Sequence, residues 1–202
     1  MSRPPGRTTP GERGGRPPVS SAHEVAAVAQ RIFLERGFDE TSVDDVAAAA
    51  GISRRTFFRY FPSKADVLFV DSPREVERFR AGLGTGRPGE PWRAVVTRAV
   101  VEALRFPPEE RTWALHRAQV FFAVPAVQAH AVRVWATWRQ LAVDAATAVP
   151  HTDPLFPLAV GHAVLAATLA AHEHWTRAPE EDLGTLLARM LDLLLPPDPA
   201  AG

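Results

Sequence analysis

The stretch Thr41-Ser42-Val43-Asp44-Asp45-Val46-Ala47-Ala48-Ala49-Ala50-Gly51-Ile52-Ser53-Arg54-Arg55-Thr56-Phe57-Phe58-Arg59-Tyr60-Phe61-Pro62-Ser63-Lys64 decides the fold. It predicts two short helices joined by a tight glycine turn. Thr41 or Ser42 can cap the first, because a hydroxyl there satisfies an orphan backbone N–H. Asp44 and Asp45 fall in the first turn, where the helix dipole favours negative charge. Val46, Ala47 and Ala50 form a small apolar face, and Gly51 can take the positive φ that stops the helix. Ser53 offers a new N-cap, and residues 54–60 make the second helix. This is the plan of a helix-turn-helix.

The same residues also describe an ordinary helical hairpin with a solvated basic face. Three details favour a second helix built for a phosphate-lined groove. Arg54, Arg55 and Arg59 lie within six residues and no carboxylate sits among them. Thr56 and Tyr60, one turn apart, set two hydroxyls beside those arginines. Phe57 and Phe61, also one turn apart, supply an apolar anchor that turns the arginines outward.

From about Ala22 to Leu68 the chain resembles the TetR family of bacterial transcriptional regulators. The resemblance rests on Arg36-Gly37-Phe38, the run from Thr41 to Ala47, Ala50-Gly51-Ile52-Ser53, Thr56 to Phe61, and Ser63-Lys64-Ala65-Asp66, in that order. It implies that Thr41 or Ser42 touches a phosphate at the start of the second helix, and that Thr56 does so from the third. Tyr60 stands where the family often has a phosphate-contacting histidine. Lys64, the only lysine, opens a fourth helix and would bind phosphate as a point charge. Arg54, Arg55 and Arg59 occupy the variable positions from which bases are read, and Ser53, at the helix start, belongs to the expected DNA-facing set. A bidentate arginine–guanine contact is worth roughly 1–3 kcal/mol of discrimination. Two residues depart from the family pattern. Phe58 replaces a usual tyrosine, leaving a ring that can pack or meet a thymine methyl, and Arg55 replaces a small residue. Both point to an altered operator preference.

The chain has 202 residues, a formal net charge of zero and no cysteine. Its length allows one or two domains with a sizeable core. A cysteine-free chain suits a reducing cytoplasm, and no run approaches the length of a membrane span. The zero net charge conceals an asymmetry. Through Lys64 there are ten basic against seven acidic residues, a net of +3, and thirteen against sixteen in the remainder, a net of −3. Local charge decides where a polyanion docks. Residues 1–19 form a proline- and glycine-rich arm carrying Arg3, Arg7, Arg13 and Arg16. It reads either as a solvated tail or as an arm that follows phosphates.

Beyond Lys64 the pattern is helical, with no strand-like alternation. Expected helices cover residues 63–83 (with Pro73 ending or kinking the helix), 90–106, 109–124, 125–149, 153–176 and 180–195. The fold class is therefore all-α, with about nine helices. Its expected units are a helix-turn-helix domain at 20–66, a helical regulatory and dimerisation domain at 67–195, and a proline-rich tail at 196–202. In the family the last two helices pair with their symmetry mates. Here Ala159, Ala163, Ala166, Ala167, Ala170 and Ala171 permit close approach, and Leu183, Leu187, Met190 and Leu194 form a stripe. The run from Arg111 to Trp138 and the alanine-rich helix ending in Trp175 further resemble the actinobacterial regulators associated with mycofactocin gene clusters. That resemblance implies a long acyl-CoA thioester as effector.

Trp92, Trp113, Phe121, Phe122, Trp135 and Trp138 either fill the core or line an apolar cavity between helices. His116, His130, His162 and His172 are either satisfied core residues or polar points that orient a ligand, with His116 and His162 on apolar faces. The run His172-Glu173-His174 is no metal site, since residues two apart on a helix diverge by about 200°. No nucleophile–base order, phosphate-cradling glycine loop or CxxC pattern occurs, so neither enzyme activity nor a cofactor is expected. The sequence thus predicts a homodimeric, sequence-specific repressor of a pseudo-palindromic double-stranded operator, released by a small apolar or amphipathic effector. An effector-independent DNA binder remains open, as does a helical ligand- or partner-binding protein with a vestigial helix-turn-helix.

Overall fold

The computed structural model describes residues 21–87, 89–151 and 153–198. The expected basic arm at 1–19 and the end of the tail lie outside the described residues. Within them the chain is all-α, with ten α-helices and two short 3-10 turns. No helix there is long and apolar enough to cross a membrane.

Local sequence sets the first three helices. Helix α1 (Ala22–Arg36) starts with a capping box, in which Ser21 accepts from the Glu24 N–H and Glu24 accepts from Ser21 in return. Helix α2 (Val43–Ala50) repeats the device with Ser42 and Asp45, and ends at Gly51 in the left-handed region, φ 68°. Helix α3 (Arg54–Tyr60) follows after Ser53, whose hydroxyl accepts from the Thr56 N–H. Val25, Ile32, Phe33, Phe38, Val46, Phe57 and Phe61 bury together between them. Val120 and Val127, from the far half of the chain, join this cluster. The helix-turn-helix core is thus continuous with the body.

The body departs from expectation in two places. The fourth helix is not one rod with a proline kink. A 3-10 turn (Ala65–Phe69) comes first, and α4 (Ser72–Leu83) begins afresh with Pro73 in its opening turn. Proline belongs there, because its missing N–H has no intrahelical acceptor to satisfy. The expected helix at 125–149 is also two helices, α7 (Pro125–His130) and α8 (Val132–Thr147). They part at Ala131, whose N–H is shared between the carbonyls of Val127 and Gln128. Ala131 is fully buried, so packing holds the tightened turn.

The other helices are α5 (Trp92–Ala103), α6 (Arg111–Ala123, after the 3-10 turn Pro108–Glu110), α9 (Phe156–Arg177) and α10 (Leu183–Leu194). The main packed pairs are α4 on α5, α8 on α9 and α9 on α10, with α10 also against α5. The alanine stripe of α9 divides between two surroundings. Ala163, Ala167 and Ala171 are buried within the chain, whereas Ala159 and Ala166 face solvent beside Leu158 and His162. On α10, Leu183, Leu186, Leu187 and Leu191 point inward and leave Leu193 and Leu194 exposed.

Candidate nucleic-acid interface and apolar cavity

Helix α3 is held from beneath by its aromatics. Phe57 is fully buried, Phe61 nearly so, and their ring centroids are 5.4 Å apart. Arg54, Arg55 and Arg59 stand on the opposite, solvent-facing side. Arg54 is not free of carboxylates, because Nη1 reaches back across the turn to Asp44 Oδ2 at 2.8 Å. Its guanidinium also lies 5.2 Å from the centre of the exposed Phe58 ring. Arg59 sits over Tyr60, 5.1 Å from its ring centre. Thr56 and Tyr60 are half-buried beside this face, and Thr56 Oγ1 lies 2.9 Å from Ser53 Oγ.

One expected phosphate contact, Thr41, is corrected by the packing, and another, Lys64, keeps only part of its donor capacity. Thr41 is buried and its hydroxyl donates to the Gly37 carbonyl at 2.8 Å, so it cannot reach a phosphate. Ser42 stays exposed but serves as the cap of α2. Lys64 turns inward: Nζ donates to the carbonyls of Phe38 at 2.6 Å and Thr41 at 2.9 Å, above the Phe38 ring. Two of its three donors thus tie the segment after α3 to the α1–α2 loop, leaving one for a phosphate.

A cavity of about 120 Å³ opens between α4, α6, α8 and α9. Phe121, Phe122, Trp135 and Trp138 line it as the sequence suggested, together with Phe69, Leu165 and Leu169. Four other candidates lie elsewhere. Trp92 is buried edge-on against Phe156, and Trp113 lies under the Arg117 guanidinium at 4.9 Å. His116 is half-buried away from the cavity, and His162 is exposed. His162 does share a face with Leu165 and Leu169, but the cavity walls from α6 reach only the later part of that face.

The polar end of the cavity was legible in the sequence only at His172. It consists of Ser72, Glu75, Arg117, Thr168 and His172. His172 falls on the Leu165–Leu169 face. Glu75 and Arg117 are 42 residues apart in sequence, and only the fold pairs them, at 2.9 Å. Arg117 also lies 3.5 Å from Asp71, which in turn meets His23 of α1 at 2.6 Å. A second bridge joins His130 to Asp66 at 3.0 Å. Burial opposes ionisation of Asp66, but hydrogen bonds from Ser63 and His130 outweigh it and hold the carboxyl below its ordinary range.

Residues 26–69 match the bacterial regulatory proteins of the tetR family, and residues 90–199 match the MftR C-terminal domain. The chain belongs to the TetR family of regulators. It is 29% identical to the mycofactocin biosynthesis transcriptional regulator MftR of Mycobacterium tuberculosis, over 90% of this chain and 93% of that one. Among solved structures it resembles the fatty acid degradation regulator FadR of Bacillus halodurans, with a TM-score of 0.62 at 16% identity, covering 86% and 94% of the two chains. It also resembles Thermus thermophilus FadR, a TetR-family repressor in complex with lauroyl-CoA, with a TM-score of 0.54 at 26% identity, covering 90% and 100%. These TetR-family relatives are regulators and not enzymes. The helix-turn-helix is thus a DNA-binding element, and α3 is its second helix.

Proposed function

We propose that this regulator is a homodimeric repressor. Two copies of α3 would enter successive major grooves of a pseudo-palindromic operator, roughly 34–36 Å apart centre to centre. A small apolar or amphipathic effector in the cavity would release it. The carrying observation is that Arg117, a wall of the cavity, is within reach of Asp71, which holds His23 at the start of α1. A ligand that repositions Arg117 acts directly on the contact between body and DNA-binding helices. It shifts the equilibrium by its differential affinity for the two arrangements. The lauroyl-CoA complex of the Thermus relative supports an amphipathic effector in this fold. Arg54, Arg55 and Arg59 are assigned to base readout, and Ser42, Thr56 and Tyr60 to phosphate.

Mobility shift on the DNA upstream of its own gene tests the reading. Arg54→Ala and Arg59→Ala should each weaken operator binding by roughly 1–3 kcal/mol and affect random DNA far less. Equal losses on both DNAs would confine these arginines to phosphate contact. No retardation by the unaltered protein would remove the operator assignment.

A further inference from the structure

We infer that the cavity between α4, α6, α8 and α9 selects a ligand carrying a protonated amine on a ring-sized apolar body. This rests on the cavity being the effector site and specifies the head group that the site takes.

The charges at the polar end do not balance. One guanidinium, Arg117, serves two carboxylates: Glu75 at 2.9 Å and Asp71 at 3.5 Å. Glu75 is buried, with 8% of its surface exposed, and it lines the cavity itself. Asp71 has a second partner in His23 at 2.6 Å, on the side away from the cavity. Protonating His23 brings the cluster to neutrality and never to a net positive charge. A ligand carboxylate would therefore enter beside the Glu75 carboxylate and have to share Arg117 with Glu75 and Asp71, and a buried, incompletely paired charge is costly.

The neighbouring groups also ask for a donor. His172 lines the cavity and spends Nδ1–H on the Thr168 carbonyl at 2.8 Å. Burial pushes its pKa below the ordinary histidine value, and the nearby Arg117 charge adds to that, against the Thr168 hydrogen bond and the Glu75 charge. At neutral pH its Nε2 is therefore a lone-pair acceptor. The walls of Phe69, Phe121, Phe122 and Trp135 add aromatic π-clouds, which attract a cation by their quadrupoles. Volume sets the body: about 120 Å³ is on the scale of the ~150 Å³ apolar cavity that accepts benzene.

Three nearly isosteric probes test this: benzylammonium, benzyl alcohol and benzoate, titrated at pH 7.5 against the full chain by calorimetry and by tryptophan fluorescence. Benzylammonium should bind about tenfold more tightly than the alcohol and about a hundredfold more tightly than benzoate, as expected of a desolvated cation–π and carboxylate site. Glu75→Gln should bring benzylammonium down to the level of the alcohol while alcohol binding persists. If Glu75→Gln fails to fold, as judged by circular dichroism, the comparison on the unaltered chain decides alone. Equal affinities, or benzoate binding tightest, would overturn the amine assignment and leave the effector cavity standing. Failure of all three to bind at millimolar concentration would remove both.

Discussion

Asp44 and Arg54 form an exposed ion pair, with side chains 66% and 58% exposed. Pairs of this kind contribute only about 0–1 kcal/mol, so Arg54 exchanges Asp44 for a phosphate or a guanine edge at little cost. Until it does, the carboxylate opposes the approach of DNA. Asp44→Asn should therefore tighten operator binding by about two- to fivefold at low ionic strength, with the gain vanishing at high salt. The cap of α2 is untouched, because Asp45 and not Asp44 completes it. An affinity that stays the same at low salt would show that the pair does not restrain Arg54. Sequence alone read the outward arginines and the buried Phe57–Phe61 anchor, since both follow from helical period. It could not choose between the adjacent hydroxyls of Thr41 and Ser42. Asp45, three residues after Ser42, takes the serine into a capping box and leaves Thr41 to turn inward to Gly37. Nor could it see Asp44 beneath Arg54 or the two carbonyls around Lys64, because those partners meet only after the turn closes.

Helix α9 approaches α8 closely at Gly161, where an added Cβ would lie 2.6 Å from Val143 Cγ2 and 3.0 Å from the Arg139 carbonyl oxygen. A backbone oxygen cannot step aside as a side chain does. Gly161→Ala should gain roughly 1 kcal/mol of helix propensity and lose about 1–3 kcal/mol to overpacking. The melting temperature should therefore be unchanged or fall by several degrees; a rise would mean that α8 and α9 are not in this contact. Acid acts on other parts of the elements. Asp45 is held below the ordinary carboxylate value by Ser42, and Asp182 by the Thr185 N–H at the start of α10. Asp66 is likewise depressed. Depressed carboxylates contribute stability that is complete above the unfolded value, about 3.9 for Asp, and is lost as pH falls through the lower native values. Melting should thus be nearly flat from pH 7 to about 5 and fall below about 4, and Asp182→Asn, which keeps a capping oxygen, should flatten that fall. A decline beginning above pH 6 would mean that groups other than these carboxylates govern it. Caps of this kind are written locally, which is why the starts of α2, α3 and α10 were legible to within a few residues. The division at Ala131 was not, because burial imposes it on a helix-forming run.

At the scale of the molecule, the two His–Asp bridges and the shared cluster around Val120 and Val127 make the DNA-binding helices and the body one mechanical unit. Such a unit reads two half-sites only if something fixes the spacing between two copies. Among the described residues, an apolar face is left without cover at the last two helices: Leu155, just before α9, Leu158 on α9, and Leu193 and Leu194 on α10 are 66%, 49%, 75% and 44% exposed. On α9, Ala159 and Ala166 lie on the same exposed side and would admit a second helix closely. Helical period identified these helices as apolar on a wide arc, but the division between inward and outward residues needed α8 and α5 in place. A dimer closed through this face should bury at least about 1,000 Å² in total. Leu158→Glu places a charge in the middle of that face and touches none of the internal core. It should shift the protein from dimer to monomer in sedimentation velocity without loss of helical circular dichroism. The monomer should retain weak, salt-sensitive binding to a single half-site, while retardation of the full operator at nanomolar protein disappears. A Leu158→Glu protein that still sediments as a dimer would move the interface off α9 and α10.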